Sequence, residues 1–260
     1  MIRRVTATRY VTPLREGGSL PAIVEADDDG LYVAKFRGAG HGEKALVAEL
    51  IAGEIGRALG LLVPEIVLVD FDPRLAAAEP DGEIRDLLGR SGGLNVGLDF
   101  LPGALGFDPA AGFRPERQLA ADVVWFDAFV TNVDRTPRNP NLLTWHRRMW
   151  LIDHGAALYF HHLWSDAEVA SRSPFAAVKD HILLPWATEL AAAGARLTPH
   201  LGAETAVLVL AEIPDDWLDG EPRFATPAEH RAAYARYLSA RLEAAPIFLE
   251  EAERARGALV

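Results

Sequence analysis

The sequence places two aspartates, with two asparagines between them, around one short apolar run. Residues 130–158 read VTNVDRTPRNPNLLTWHRRMWLIDHGAAL, in which Asp134 comes before the strand-like segment MWLID and Asp153 ends it. Asn139 and Asn141 lie between the two acids. A buried carboxylate is costly unless it is paired, hydrogen-bonded or bound to a metal ion. We therefore expect a cation or a ligand to compensate these acids.

The composition sets limits on the class of protein. The chain has 260 residues, with 26 Lys and Arg against 37 Asp and Glu, which gives a formal net charge of −11. A nucleic-acid-binding protein needs a basic face for phosphate contacts, so this balance argues against one while leaving room for a local basic pocket. The sequence contains no cysteine, which excludes disulfides, thiolate zinc sites and cysteine nucleophiles.

No segment of the sequence predicts a membrane anchor. No apolar run approaches the roughly 20 residues that cross a bilayer as a helix. The opening MIRRVTATRY lacks the apolar stretch of a signal peptide. We therefore expect a soluble cytoplasmic protein with no membrane span.

The amino-terminal part of the chain reads as strands around one helix. The segments RRVTATRYV, LPAIVEA and LYVAKF are rich in strand-forming residues, and DDDG carries the Asp-Gly signal of a hairpin. A helix is predicted from about Glu43 to Leu59, where Gly60 ends it, and Pro64 opens the strand PEIVLVDFD. A further strand is predicted in LNVGLDFLPGA.

The later part of the chain reads as mainly helical. PERQLAADVVWFDAFVTN has apolar residues at helical spacing, two short strands follow, and helical patterns dominate beyond Tyr159. Capping boxes are predicted at Ser165 in SDAE and at Thr226 in TPAE. The sequence thus predicts an α+β fold with a small β-rich N-lobe over residues 1–105 and a larger helical C-lobe over residues 106–260.

The polar residues of the stretch 130–158 suit phosphoryl transfer. Asp134 is predicted on a loop, where a carboxylate can accept the proton of a hydroxyl group. A carboxylate and an amide oxygen, from Asp153 and Asn139, are hard ligands that suit Mg²⁺, which keeps waters and shares its shell with phosphates. Asn141 competes with Asn139 as the metal ligand.

The amino-terminal part offers groups that would hold nucleotide phosphates. Lys35 ends LYVAK on the second arm of a hairpin, and its expected partner is Glu49 on the following helix, with Glu43 and Glu54 as rivals. Small residues beside Glu49 predict that this helix approaches the sheet closely: Ala45, Ala48, Ala52 and Gly53. Backbone N–H groups of a glycine loop are predicted to cover the phosphates: Gly17, Gly18 and Ser19.

These motifs resemble, in the same order, those of the protein-kinase-like superfamily. VDRTPRN resembles the Asp-Arg-His-x-x-Asn loop, LIDHG resembles the metal-binding Asp-Phe-Gly, and YVAKF resembles the phosphate-binding lysine strand. The chain is most similar to HipA-like kinases, which are related to phosphatidylinositol 3-/4-kinases. Thr136 stands where the family loop has histidine, and His154 stands where it has phenylalanine.

The resemblance implies a two-lobed protein-kinase-like fold that uses ATP and Mg²⁺. Asp134 would be the catalytic base, and Asp153 would hold the metal with Asn139, because the family spacing favours Asn139 over Asn141. Lys35, fixed by Glu49, would hold the nucleotide phosphates. The strand GLDFLPG would form the hinge between the lobes, with adenine contacts from three residues: Asp99, Phe100 and Leu101.

The phosphoryl acceptor is not encoded in these motifs. The resemblance implies transfer of the γ-phosphate to a hydroxyl group; protein Ser/Thr is our first expectation, and lipid head groups, small molecules and the chain itself stay open. The alternative is a non-catalytic nucleotide-binding sensor or scaffold with the same fold. Full-length HipA toxins carry a further N-terminal domain, for which we expect 260 residues to be too short. We therefore do not favour a toxin role, and an antitoxin partner stays open as the less favoured expectation.

Overall fold

The amino-terminal strands form a closed barrel. The structure, a computed structural model, describes residues 1–14 and 20–259. Five strands in this part of the chain follow the order β1-β2-β3-β5-β4: β1 (Arg3–Pro13), β2 (Ala22–Ala26), β3 (Leu31–Lys35), β4 (Ile66–Phe71) and β5 (Gly93–Asp99). Neighbouring strands are antiparallel except β1 and β4, which run parallel in a register that pairs Arg3 with Val67 and closes the barrel.

The inside of the barrel is filled by alternate residues of each strand. In β2, Ala22, Val24 and Ala26 are buried while the residues between them are partly exposed, which is the period of two that a half-buried strand shows. At one end of the barrel, Phe36 packs edge-on against Phe71, with ring centroids 5.0 Å apart.

The first helix, α1 (Gly42–Ala58), lies against the barrel and agrees with the helix predicted over residues 43–59. Gly53 is the point of close approach, because a Cβ atom added there would lie 2.4 Å from Ile66 Cδ1 of β4. The small-residue face predicted around Glu49 is therefore used for packing. A second helix, α2 (Gly82–Gly89), precedes β5.

The rest of the chain combines a small sheet with helices. Three short strands pair in the order β6-β7-β8: β6 (Leu105–Gly106), β7 (Leu142–Trp145) and β8 (Arg148–Leu151). The long helix α3 (Arg117–Val130) is buried along almost its whole length. Five further helices follow: α4 (Ala167–Ser171), α5 (Leu190–Leu197), α6 (Ala203–Ala211), α7 (Pro227–Glu243) and α8 (Ala245–Gly257).

The two predicted capping boxes have different outcomes. Thr226 caps α7, since its Oγ1 accepts the N–H of Glu229 at 3.2 Å and Glu229 Oε2 accepts the N–H of Ala225 at 2.9 Å. The prediction at Ser165 is wrong, because α4 begins at Ala167 without a side-chain cap and Ser165 lies in the preceding 3₁₀ turn. Tertiary packing of the neighbouring Trp164 accounts for this turn, since its ring lies against Tyr234 of α7.

The prediction of a mixed α+β fold is confirmed. One apolar core extends from α1 through α3 to α8, with Leu50, Phe126 and Phe248 among its most buried members. A smaller core fills the barrel. Among the helices of residues 1–14 and 20–259, none has both the length and the apolar character needed to cross a bilayer.

Candidate active site

Lys35 lies between two carboxylates that come from different parts of the chain. Its Nζ lies 2.6 Å from Glu49 Oε2 on α1 and 2.5 Å from Asp153 Oδ1 just after β8. Lys35 stands at the end of β3 and is only 9% exposed. The rival acids are engaged elsewhere, since Glu43 pairs with an arginine of the loop after β3 and Glu54 pairs with an arginine one turn along α1.

Charge pairing keeps these buried groups ionised. Burial alone would raise the pKa of Glu49, but the ammonium of Lys35 and the hydrogen bonds of His154 outweigh burial and lower this pKa to about 2. Burial alone would lower the pKa of Lys35, and the charges of Glu49 and Asp153 raise it above its ordinary value instead. The buried part of the site therefore holds the ammonium of Lys35 and the carboxylate of Glu49, and Asp153 lies on the solvent side with 38% of its side chain exposed.

His154 links the segment after β8 to α1. Its backbone N–H donates to Glu49 Oε2 at 2.8 Å, and its ring Nδ1 lies 3.4 Å from Glu49 Oε1. The imidazole is completely buried and packs edge-on against Phe126 of α3 at 5.9 Å. The sequence marked His154 only as a departure from the family phenylalanine; in the structure it engages both oxygens of Glu49.

The loop after α3 brings Asp134 together with both candidate asparagines. Asp134 Oδ2 accepts a hydrogen bond from Asn139 Nδ2 at 2.7 Å and lies 3.4 Å from Asn141 Nδ2. Asn139 is exposed, whereas Asn141 is buried. Asn141 and Asp153 both adopt left-handed backbone conformations, with φ of 49° and 56°. Such conformations are unfavourable outside glycine and cluster at functional sites.

A buried arginine joins the two halves of this site. Arg135, which is 1% exposed, donates from Nη1 to the carbonyl oxygen of Asn141 and to that of Ile152 at 3.3 Å. Its Nε donates to Asp127 Oδ2 of α3 at 2.5 Å. Ile152 directly precedes Asp153, so this guanidinium ties the Asp134 loop to the segment that carries Asp153.

The predicted hinge residues follow the end of β5. The backbone N–H of Asp99 donates to the carbonyl of Glu65 at 2.9 Å, and that of Phe100 donates to the carbonyl of Leu31 at 2.9 Å. Within residues 1–14 and 20–259, the N–H of Leu101 has no such backbone partner. Of the three amides, the one at Leu101 is thus the donor left for a ligand, and its side chain is buried.

The predicted glycine loop lies outside the described residues. Gly17, Gly18 and Ser19 are therefore not assigned a position. Among the described residues on either side of this segment, the N–H of Leu14 donates to the carbonyl of Pro21 at 2.7 Å.

The residues suited to metal binding form a sparse set. In the part of the chain that the structure describes, no three His, Asp or Glu side chains cluster as they would in a closed metal cage. The oxygen donors at the site are the half-exposed carboxylate of Asp153 and the amide groups of Asn139 and Asn141. Few protein ligands with open positions suit Mg²⁺, which binds through one or two protein oxygens together with phosphates and water.

A comparison with models of known protein families identifies the family of this chain. The model described as HipA-like kinase matches residues 8–245. The chain belongs to this family. A search of curated proteins found no match.

A solved structure supports the assignment of this HipA-like kinase. The crystal structure of a Helicobacter pylori proinflammatory kinase, CtkA, has the same fold, with a TM-score of 0.55, although only 13% of residues are identical. The alignment covers 100% of this chain and 99% of that one. At this identity the likeness concerns the fold, and together with the family match it supports phosphotransferase chemistry.

Sequence reasoning missed part of the surroundings of the site in this HipA-like kinase. Arg135, Asp127 and His181 meet behind the Asp134 loop, and none of them was predicted to matter. One signal was present, because Asp127 is an acid within the apolar helical run VVWFDAFV. For His181, which lies 54 residues beyond Asp127 in the chain, no local pattern points to this contact.

Proposed function

We propose that this HipA-like kinase transfers the γ-phosphoryl group of ATP to a hydroxyl group of a protein serine or threonine, with Mg²⁺. The observation that carries the proposal is the position of Lys35 Nζ, in contact with both Glu49 and Asp153. This contact places a fixed cation beside a carboxylate that is open to solvent. A fixed cation with a metal-binding carboxylate beside it is the arrangement that phosphoryl transfer needs for a nucleotide.

Lys35 would hold nucleotide phosphates by charge. Glu49 is completely buried and, with its partner His154, fixes the position of the ammonium from the interior side. Asp153 approaches the same ammonium from the solvent side. Phosphate oxygens would compete with Asp153 for Lys35, which would release the Asp153 carboxylate for a metal ion.

Asp153 and Asn139 would hold Mg²⁺, which when bound neutralises charge on the phosphates. Asn139 is exposed and lies at hydrogen-bond distance from Asp134, so a modest rotation of its side chain would present its oxygen to a metal. Asn141 is held through its buried backbone and side chain, and we assign it the role of shaping the loop.

Asp134 would orient the acceptor hydroxyl and accept its proton. Its carboxylate is partly exposed, and the loop residues beside it, Pro137, Arg138 and Asn139, are exposed. A protein segment can approach this open surface, which favours a serine or threonine side chain as acceptor. The general-base contribution of such a carboxylate is typically about 10² to 10⁴ in rate.

We further propose that residues 1–105 and 106–260 act as two lobes with ATP between them. The free N–H of Leu101 would donate to the adenine ring, while Asp99 and Phe100 would contribute strand backbone and apolar surface. Gly17, Gly18 and Ser19 would cover the phosphates. We place the reaction in the cytoplasm; neither a nucleic acid nor an antitoxin enters the proposal as a partner.

The test combines binding and transfer. Calorimetry and melting curves with Mg·ATP are compared for the wild type and Lys35→Met, and phosphorylated products are identified by mass spectrometry with the chain itself and a cell lysate as acceptors. A ligand at a hundred times its dissociation constant stabilises a protein by about 2.7 kcal/mol. Absence of binding and transfer in the wild type would overturn the proposal, and Mg·ATP binding without transfer to any acceptor would favour the nucleotide-binding sensor.

Lys44→Met is the matched control for Lys35→Met. Lys44 lies on α1 five residues before Glu49, and its Nζ contacts the carbonyl of His161 and the carboxylate of Glu221 instead of the site. We expect Lys35→Met to reduce transfer below the detection limit. We expect Lys44→Met to keep the Mg·ATP affinity of the wild type. Equal transfer in the wild type and Lys35→Met would remove Lys35 from the site.

A further inference from the structure

A fully buried carboxylate lies behind the loop that carries Asp134. Asp127 Oδ2, on α3, accepts hydrogen bonds from Arg135 Nε at 2.5 Å and from His181 Nε2 at 2.8 Å. Its Oδ1 accepts a hydrogen bond from Asn132 Nδ2 at 3.1 Å. Burial alone would raise the pKa of Asp127, but the charge of Arg135 and the hydrogen bond of His181 hold it below its ordinary value.

Two chains of hydrogen bonds lead from Asp127 to the site. One passes through Asn132, whose Oδ1 accepts the backbone N–H of Asp134 at 3.2 Å. The other passes through Arg135, whose guanidinium holds the backbone carbonyls of Asn141 and Ile152. The same carboxylate therefore orients both segments that must meet for transfer.

The second chain acts at two residues with left-handed backbone conformations or directly beside them. Asn141 and Asp153 both have positive φ, and the carbonyl groups of Asn141 and Ile152 accept the guanidinium of Arg135. Residues in such conformations persist only when their surroundings hold them there. A correctly oriented Arg135 is therefore needed for the position of Asp153 relative to Asp134.

We propose that Asp127 is a positioning residue for phosphoryl transfer, which fixes the Asp134 loop against the Asp153 segment without touching ATP, Mg²⁺ or the acceptor. This inference rests on the proposed function for its effect on rate. Small displacements of a reacting group reduce rates strongly, with about 100-fold for a shift of 1 Å. The effect on loop geometry does not depend on the reaction.

Substitutions of His181 test this inference most directly. The N–H of Leu183 donates to His181 Nδ1 at 3.0 Å, so Nε2 carries the proton that is donated to Asp127. In His181→Gln the side-chain amide can replace that donor, whereas in His181→Leu the donor is lost and the ion pair between Asp127 and Arg135 keeps both partners.

Asp122→Asn is the matched control for Asp127→Asn. Both aspartates lie on α3 and both pair with an arginine, but Asp122 contacts Arg196, at 2.6 Å, rather than the loop. A general effect of removing an ion pair from α3 would appear in both variants. An effect on the site would appear only in Asp127→Asn.

The experiment measures amide hydrogen exchange across residues 132–141 and 150–155, Mg·ATP affinity and transfer rate, at a temperature well below melting. We expect Asp127→Asn and His181→Leu to speed exchange in both segments and to lower the transfer rate by about 10- to 100-fold, with a smaller change in Mg·ATP affinity. We expect His181→Gln to keep amide exchange and the transfer rate near those of the wild type, and Asp122→Asn to change neither quantity. If Asp127→Asn does not fold, the two His181 variants carry the test.

The outcomes separate this inference from the proposed function. If the wild type neither binds Mg·ATP nor transfers phosphate, the proposed function is overturned, and faster exchange in Asp127→Asn and His181→Leu still supports the role of Asp127 in fixing the two segments. Wild-type exchange and transfer in His181→Leu, or the same losses in His181→Gln, overturn the positioning role while leaving the proposed function standing.

Discussion

Gly53 of α1 faces Ile66 of β4 so closely that a Cβ atom at residue 53 would lie 2.4 Å from Ile66 Cδ1. The helix that carries Glu49 one turn earlier can therefore approach the barrel only while residue 53 lacks a side chain. We expect Gly53→Ala to lower the free energy of unfolding by about 1 to 3 kcal/mol, because over-packing displaces the neighbouring side chain.

Gly89 provides the control for this substitution. It ends α2, and nothing lies within 4 Å of a Cβ atom added there. Alanine is favoured over glycine in a helix by up to about 1 kcal/mol, so Gly89→Ala should be neutral or stabilising in urea unfolding. Equal stability of the two variants would contradict the packing argument at Gly53.

Glu49 makes the stability of the protein depend on acid pH. Its pKa is lowered from an ordinary 4.5 to about 2 in the folded state, so its contribution is fully present above pH 4.5 and is lost as the pH falls toward 2. The free-energy difference between the wild type and Glu49→Gln should shrink by about 1 to 2 kcal/mol between pH 6 and pH 3.5. Urea unfolding at several pH values measures this, and a constant difference would mean that Glu49 is not held as a carboxylate.

Substitutions of Asp134 and Asp153 should affect Mg·ATP binding and phosphoryl transfer differently. Asp134→Asn removes the proposed base and should lower transfer by about 10² to 10⁴ while Mg·ATP affinity stays near that of the wild type. Asp153→Asn removes a proposed metal ligand and should weaken Mg·ATP binding and transfer together. Binding calorimetry and a single-turnover assay on both variants provide the comparison; equal turnover in the wild type and Asp134→Asn would exclude Asp134 as the base.

Substitutions of Asn139 and Asn141 should separate an effect on metal binding from an effect on stability. Asn139 is exposed, so Asn139→Ala should leave the melting temperature unchanged and raise the Mg²⁺ concentration that transfer requires. Asn141 is buried at a φ of 49°, so Asn141→Ala should lower the melting temperature. Titration of Mg²⁺ at fixed ATP checks this, and the opposite pattern would make Asn141 the metal ligand.

Local patterns in the sequence predicted those parts of the structure that local physics determines. The helix over residues 43–59 and the cap at Thr226 follow from spacing and side-chain chemistry within a few residues. The contact between Lys35 and Glu49 spans 14 residues along a strand and the next helix, and the small residues beside Glu49 pointed to it.

Contacts between distant segments could not be predicted in this way. His154 meets Glu49 across 105 residues, and His181 meets Asp127 across 54. Neither pair leaves a periodic pattern, because each depends on how whole elements pack. The capping box at Ser165 failed for the same reason, since aromatic packing of the adjacent Trp164 sets that turn.

The parallel pairing of β1 with β4 has a consequence for synthesis of the chain. Arg3 pairs with Val67, so 64 residues separate the partners. At about 5 to 20 residues per second, ribosomes need about 3 to 13 seconds between these two positions. During that interval the first strand emerges without the neighbour that will cover its free edge, and we expect nascent chains to need protection from edge-to-edge association until Val67 has been translated.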